Sequence, residues 1–259
     1  MNFKMLVAIV AMLLTAQVCS IAETAVSSTD ARVFEMRIYY SPEGKFSTLE
    51  GRFREHTTKL FAKHGIQNIG YWVPTENPER KLTYILAYPN RAARDKSWKA
   101  FMADPEWQAA AKETEKNGPI VSKVESFFMQ LTDYSPTPKA EIDKAGRVFE
   151  LRTYTAAKDK LGDLNKRFRD HTLGLFQKHG MKNIAYWNLM PDQQKASTDL
   201  VCIISHPSIE VSKTSFDSFH KDPAWVLAKQ ESEKIGGSLI AQGGVKSEFL
   251  IATDYSPIK

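Results

Sequence analysis

Four of the six histidines form two matched pairs, His56 with His64 and His171 with His179, each eight residues apart. Eight helical residues rise about 12 Å, so neither pair can share one mononuclear metal ion. With Phe53 as reference and about 100° per residue, His56 falls near about −60° and His64 near about +20°. Both are therefore expected on a helix stripe facing a sheet. His64 and His179 each precede a glycine, where a helix C-terminus favours an imidazole that bonds free carbonyls, and the structural role is preferred for them. His56 and His171 carry no capping duty. They are the candidate catalytic groups, as proton-transfer residues or as axial ligands to haem.

A second constellation alternates along a strand. Glu35, Arg37 and Tyr39 share one face, and Glu150, Arg152 and Tyr154 repeat it. Such a trio can be an ion-pair network that fixes how two halves dock, which is the preferred reading. It can also be an anion-binding arginine beside a carboxylate base. Trp72 and Trp187 each follow a tyrosine (Tyr71, Tyr186), so tyrosine and tryptophan project to opposite faces and at most one of each pair lines a given cavity. They are further candidates for holding a flat apolar ligand, against the simpler reading of core packing. Trp107 and Trp225, just after Asp-Pro, read as core. Nucleophile elbows, phosphate loops, paired-cysteine spacings and HExxH are absent from the sequence, so hydrolysis through a nucleophile, phosphoryl transfer and zinc catalysis have no support, and no metal is expected.

The elements that position these residues are written twice. VFEMRIYY (33–40) lies over VFELRTYT (148–155), and FREHTTKLFAKHGIQNIGYW (53–72) over FRDHTLGLFQKHGMKNIAYW (168–187), at an offset of 115. Three extra residues near Pro191 and three near Gly243 shift the later register to 118 and then 121, and both copies end on TDYSP. Each copy reads as strand, helix, strand, strand, helix, strand. Val33–Tyr40 alternates as a strand; a helical period runs from Lys45 to His64 and stops at Gly65; Asn68–Val73 and Leu82–Tyr88 are β-rich. Arg91–Ala103 is helical, Asp104-Pro105 caps a second helix, and Ile120–Leu131 is the last strand. This predicts an α+β fold of two ferredoxin-like βαββαβ repeats. A sheet with helices on one face leaves the other bare, so the two bare faces are expected to pack on each other inside one chain.

The ordered set E-x-R-x-Y, H-T-x-x-L-F-x-K-H-G, N-I-x-Y-W and D-P-x-W, present in both copies, resembles the NIPSNAP family. The resemblance spans residues 32–136 and 147–257, joined by an exposed linker at 137–146. It implies the dimeric α/β-barrel superfamily, here as an intramolecular barrel. That superfamily includes monooxygenases, isomerases and haem-binding proteins, while the NIPSNAP family itself implies no established catalytic reaction.

Composition sets the outer limits. The chain has 259 residues, 42% apolar and 25% charged, with a net charge of +5 and acids and bases interleaved. Disorder and a polytopic membrane protein are excluded, and nucleic acid is not an expected partner. Residues 1–22 read as a signal peptide, with Met5–Ala16 its apolar core and cleavage before Glu23, so the protein is expected to be exported, periplasmic or secreted. Cys19 offers lipidation as the alternative and the sole route to a membrane anchor. Without Cys19, Cys202 stands alone and no internal disulfide can form. The expected partners are the two repeats themselves, a small apolar ligand and further copies of the chain. The functional expectation is a binding or interaction module with no cofactor. The alternative is a small-barrel enzyme of monooxygenase or isomerase type, or a haem binder, acting in a helix–sheet pocket.

Overall fold

The computed structural model describes residues 30–143 and 146–259. The expected signal segment and Cys19 lie outside them. The first repeat runs β1 (Val33–Tyr40), α1 (Phe46–Arg52), a π-turn (Phe53–Thr57), α2 (Thr58–Lys63), β2 (Gln67–Pro74), β3 (Lys81–Tyr88), α3 (Arg91–Ala103), α4 (Pro105–Thr114) and β4 (Lys123–Leu131). The second repeats it as β5 (Val148–Ala156), α5 (Leu161–Arg167), a π-turn (Phe168–Thr172), α6 (Leu173–Lys178), β6 (Lys182–Leu189), β7 (Asp199–His206), α7 (Ile209–Lys221), α8 (Pro223–Glu233) and β8 (Ile240–Ala252). No helix among the described residues is long and apolar enough to cross a membrane.

The strands close into one antiparallel barrel in the order β1-β3-β2-β8-β5-β7-β6-β4. This is the expected intramolecular barrel, with the two repeats joined at their strand edges as well as packed face to face. Trp72 of β2 pairs with Ala252 of β8, and Leu131 of β4 with Trp187 of β6. An open edge leaves a row of unpaired N–H and C=O groups, and closure removes it.

Strand alternation sorts the side chains. Phe34 and Met36 point into the barrel, where they meet Phe149, Leu151, Trp72 and Trp187. Trp187 packs on Phe34 at 5.9 Å between ring centroids and Trp72 on Phe149 at 5.7 Å, each bridging the repeats. Both indoles are 1% exposed, so Trp72 and Trp187 are barrel core and not the wall of a ligand cavity. The odd-numbered residues of β1, including Glu35 and Arg37, face outward beneath the helices beside the layer formed by Phe53, Phe61, Tyr71, Tyr84 and Phe101.

The helix expected to run unbroken from Lys45 to His64 is interrupted. In the π-turn the Thr58 N–H donates to Phe53 O, and the Thr57 hydroxyl donates to Arg52 O at 3.1 Å. In the second repeat Leu173 N–H donates to Phe168 O, and the Thr172 hydroxyl to Arg167 O at 3.2 Å. An i→i+5 turn advances each residue by less than an α-helical step. Thr57 therefore takes the buried position and His56 turns outward; Thr172 and His171 do the same.

The TDYSP tails cross over. Thr132 N–H donates to Tyr186 O in the second repeat, and Thr253 N–H to Tyr71 O in the first. Tyr134 packs into the second repeat's outer layer and Tyr255 into the first's.

Candidate functional site

In the first repeat the Glu35 carboxylate is 0% exposed and surrounded by donors. Arg37 Nη1 reaches Oε1 at 2.5 Å; Arg94 donates to both oxygens at 3.0 and 2.9 Å. Tyr88 adds a bond of 3.1 Å and Ser126 one of 2.8 Å. Burial pushes the carboxyl pKa up, but Arg94 and Arg37 outweigh it and hold it below the ordinary value. The rest of the cluster is equally satisfied. Arg37 Nε donates to Tyr84 Oη at 3.0 Å and lies over Trp98, and Trp98 Nε1 donates to Tyr88 Oη at 2.7 Å. It is an ion-pair network, but all its members belong to the first repeat and it joins sheet to helix outside the barrel. It therefore does not fix how the two halves dock, contrary to the expectation from sequence.

The second repeat keeps the acid and changes its surroundings. Glu150, 2% exposed, accepts from Arg152 and Ser247 and pairs with His206 Nε2 at 2.9 Å. In the repeat register His206 replaces Tyr88, Ser212 replaces Arg94, Phe216 replaces Trp98 and Cys202 replaces Tyr84. With the Tyr84 ring gone, Tyr154 supplies the hydroxyl that accepts from Arg152 Nε, at 2.7 Å. Tyr154 is 6% exposed, whereas its counterpart Tyr39 is half-buried. Burial pushes the Cys202 thiol up to about 12, which leaves it protonated and unsuited to be a nucleophile.

Beside Arg152 the helices stand off the sheet and leave a cavity of about 370 Å³. Arg152, Tyr154, Phe216 and Trp225 line it, with His220 and Lys229 on α7 and α8. Its outer wall is Ile240–Val245, the start of β8. That wall exists because three extra residues interrupt the β5–β8 ladder, which pairs Tyr154 with Val245 but Ala156 with Ile240. Gly243, at φ +65, takes the left-handed turn of this bulge, and a Cβ on Gly244 would come within 2.6 Å of Thr155 O. The charge balance is positive: Arg152 is shared with Glu150, while Lys229 stands on the exposed side. The same field acts on His220, whose pKa is lowered first by burial and then by Arg152 and Lys229, against Asp217.

The sequence-level candidates divide accordingly. Arg152 and Tyr154 line the cavity and Glu150 holds Arg152 from behind, whereas Glu35, Arg37 and Tyr39 belong to the packed counterpart. His56 and His171 are exposed, not on the stripe facing the sheet. His171 borders a different, charged groove with Lys160, Asp163, Lys166 and Asp170. Neither faces an apolar slot, so the residues present do not suit axial ligation of haem by these histidines. His64 and His179 bond Asp104 at 2.6 Å and Asp222 at 2.7 Å, the aspartates that cap α4 and α8. Among the described residues no group of three or more His, Cys, Asp or Glu is placed to hold a metal ion. His220 was missed from sequence because it stands opposite Met102, and its signal was a difference between the copies.

The NIPSNAP family profile matches residues 34–136 and 149–257. No curated protein matches the chain significantly. Among solved structures the chain is similar to an anthrone oxidase-like protein, with a TM-score of 0.58 and 10% identity over 90% of this chain and 97% of that one. It is similar to a provisionally assigned monooxygenase from Lactobacillus acidophilus, with a TM-score of 0.56 and 12% identity over 86% of this chain and 94% of that one. A NIPSNAP family protein from Agrobacterium tumefaciens is 24% identical over 40% of this chain and 97% of that one, with a TM-score of 0.37. The first two likenesses extend across both repeats and show the shared α+β barrel fold. The family profile covers most of the chain in two successive segments, and this protein belongs to the NIPSNAP family, whose domain it carries twice.

Proposed function

We propose that this protein binds a flat aromatic molecule with an anionic group in the helix–sheet cavity of its second repeat, while the first repeat serves as the mate that closes the barrel. The observation that carries the reading is the unequal fate of one site. In the first repeat Arg37 is bonded to Glu35 and Tyr84 and lies over Trp98. In the second, Arg152, Tyr154 and Phe216, the counterparts of Arg37, Tyr39 and Trp98, line a cavity walled by the inserted start of β8. Phe216 and Trp225 contribute aromatic surface to the lining, and Arg152 and Lys229 offer charge to an anion. The volume falls in the usual range for small-molecule sites, about 300–1,000 Å³. Calorimetric titration with 2-naphthoate tests it. One saturable site is expected, weakened by about tenfold or more in Val245→Trp, which plugs the outer wall, and unchanged in His171→Ala. Absence of saturation, or equal affinity in Val245→Trp, contradicts the reading.

A proton-transfer enzyme working on the same ligand is the second reading, and His220 is the observation that favours it. A neutral imidazole beside an arginine can take a proton from a ligand whose developing oxyanion the arginine stabilises. On this reading His220→Gln abolishes turnover while binding persists; undiminished turnover contradicts it.

Each half is read here as a ferredoxin-like unit, supported by the order β4-β1-β3-β2 in the first repeat and β8-β5-β7-β6 in the second. Export by way of residues 1–22 remains our reading of the sequence, and an N-terminus at Glu23 in protein recovered outside the cytoplasm would support it.

A further inference from the structure

A second cavity, of about 540 Å³, opens off the barrel interior where β1 and β5 end. Its throat is apolar: Met36, Leu151, Leu189 and Val201 belong to the barrel core, with Ile38 and Phe127 above them. Its rim is polar, with Gln193, Gln194 and Lys195 from the β6–β7 connection and Lys246 from β8. Walls come from both repeats, so neither copy contains the site alone.

Three observations mark the rim as built. The β6–β7 connection holds the three-residue insertion absent from the first repeat, and it is strapped across the repeat boundary: Phe128 N–H donates to Gln193 Oε1 at 3.1 Å, and Met190 N–H to Phe128 O at 2.8 Å. Lys195 sits at φ +69, a left-handed backbone that costs a lysine free energy, and its carbonyl accepts from Thr198 and Asp199 N–H at 3.0 and 2.9 Å. Thr153 and Thr155 stand where the first repeat has Ile38 and Tyr40, which widens one wall.

The charges at the rim are not equivalent. Glu125 is tied to Lys123 at 2.5 Å, and buried Asp199 accepts from the Thr198 hydroxyl at 3.0 Å. Lys195 and Lys246 are both exposed, and neither has an ion-pair partner among the described residues. An apolar throat beneath two free ammonium groups is complementary to an anionic amphiphile. We propose that the barrel mouth is a second binding site, separate from the helix–sheet cavity, for an aliphatic chain ending in a carboxylate, with the chain in the throat and the headgroup at Lys195 and Lys246.

Calorimetric titration of the full chain with sodium decanoate, repeated in the presence of saturating 2-naphthoate, tests this. Expected is one saturable site whose affinity is indifferent to 2-naphthoate and falls by about tenfold or more in the double variant Lys195→Glu/Lys246→Glu. Both side chains are exposed, so the variant should keep the wild-type melting temperature, and Thr153→Trp, which plugs the throat, gives an independent second loss. No saturation by about 1 mM decanoate overturns the proposal, as does full affinity in both variants. Decanoate displaced by 2-naphthoate also overturns it, because the chain then occupies the helix–sheet cavity, and that outcome leaves the reading of the cavity standing.

Discussion

Arg54 grips Asp254 through two parallel bonds of 2.7 and 2.8 Å although the two residues are 200 positions apart, and Arg169 grips Asp133 in the same way at 2.8 and 2.6 Å. Each repeat thus holds the tail of the other. The exchange puts Tyr255 on Phe53, ring centroids 6.4 Å apart and nearly parallel, and 5.4 Å from Tyr71. Two halves that trade tails and share strand edges have little means of separating without losing core.

The tail should be held by its ring more than by its charge. Both members of the Arg54–Asp254 pair are well exposed, so Asp254→Ala is expected to cost less than about 1 kcal/mol. Tyr255→Ala should cost about 2–4 kcal/mol through lost burial. Urea midpoints measure both, and equal costs would show that the ion pair is what anchors the tail.

The buried acids should differ in weight. Glu35→Gln strands two guanidinium groups, Arg37 and Arg94, and is expected to cost about 3–5 kcal/mol. Glu150→Gln strands one guanidinium, Arg152, and should cost less. Chemical denaturation of the two variants ranks them, and the reverse order would contradict the account.

Stability should fall on the acid side. Glu35 and Glu150 have folded pKa values below the ordinary 4.5. For each, burial opposes the shift, while Arg94 and Arg37 for Glu35, and His206 and Arg152 for Glu150, drive it. A depressed carboxyl stabilises the fold fully above its unfolded value and loses that contribution as pH drops through its folded value. The unfolding free energy should therefore decline below about pH 4.5, with a shallower decline in Glu35→Gln. An unchanged slope in that variant would remove Glu35 from the explanation.

His56→Ala and His171→Ala should each change stability by no more than about 0.5 kcal/mol, because both rings are exposed. Thr57→Val should cost about 1–2 kcal/mol, since Arg52 O then loses the buried hydroxyl that serves the π-turn. Thermal melts separate the two outcomes; a larger loss in the histidine variants would mean that the turn positions them inward.

Much of this was legible in the chain because it rests on local pattern. Period-two alternation places Glu35 and Arg37 together, and Asp-Pro announces the starts of α4 and α8. What escaped depends on other causes. The π-turn hinges on a threonine hydroxyl meeting one carbonyl, which leaves no mark on hydrophobic periodicity, and it reverses the orientation of His56. A barrel is expected from the repeats, but the strand pairs that close it, β2–β8 and β4–β6, are non-local and leave no local mark. The cavity is walled by the bulge at Gly243, a departure between the copies that matching one repeat to the other passes over.

The most direct measurement is a crystal structure of the protein with 2-naphthoate. The account predicts the naphthyl ring between Phe216 and Trp225 in the second repeat with its carboxylate on Arg152, and an unoccupied counterpart beside Trp98 in the first. A ligand in the first repeat's site, or only in the groove beside His171, would contradict it.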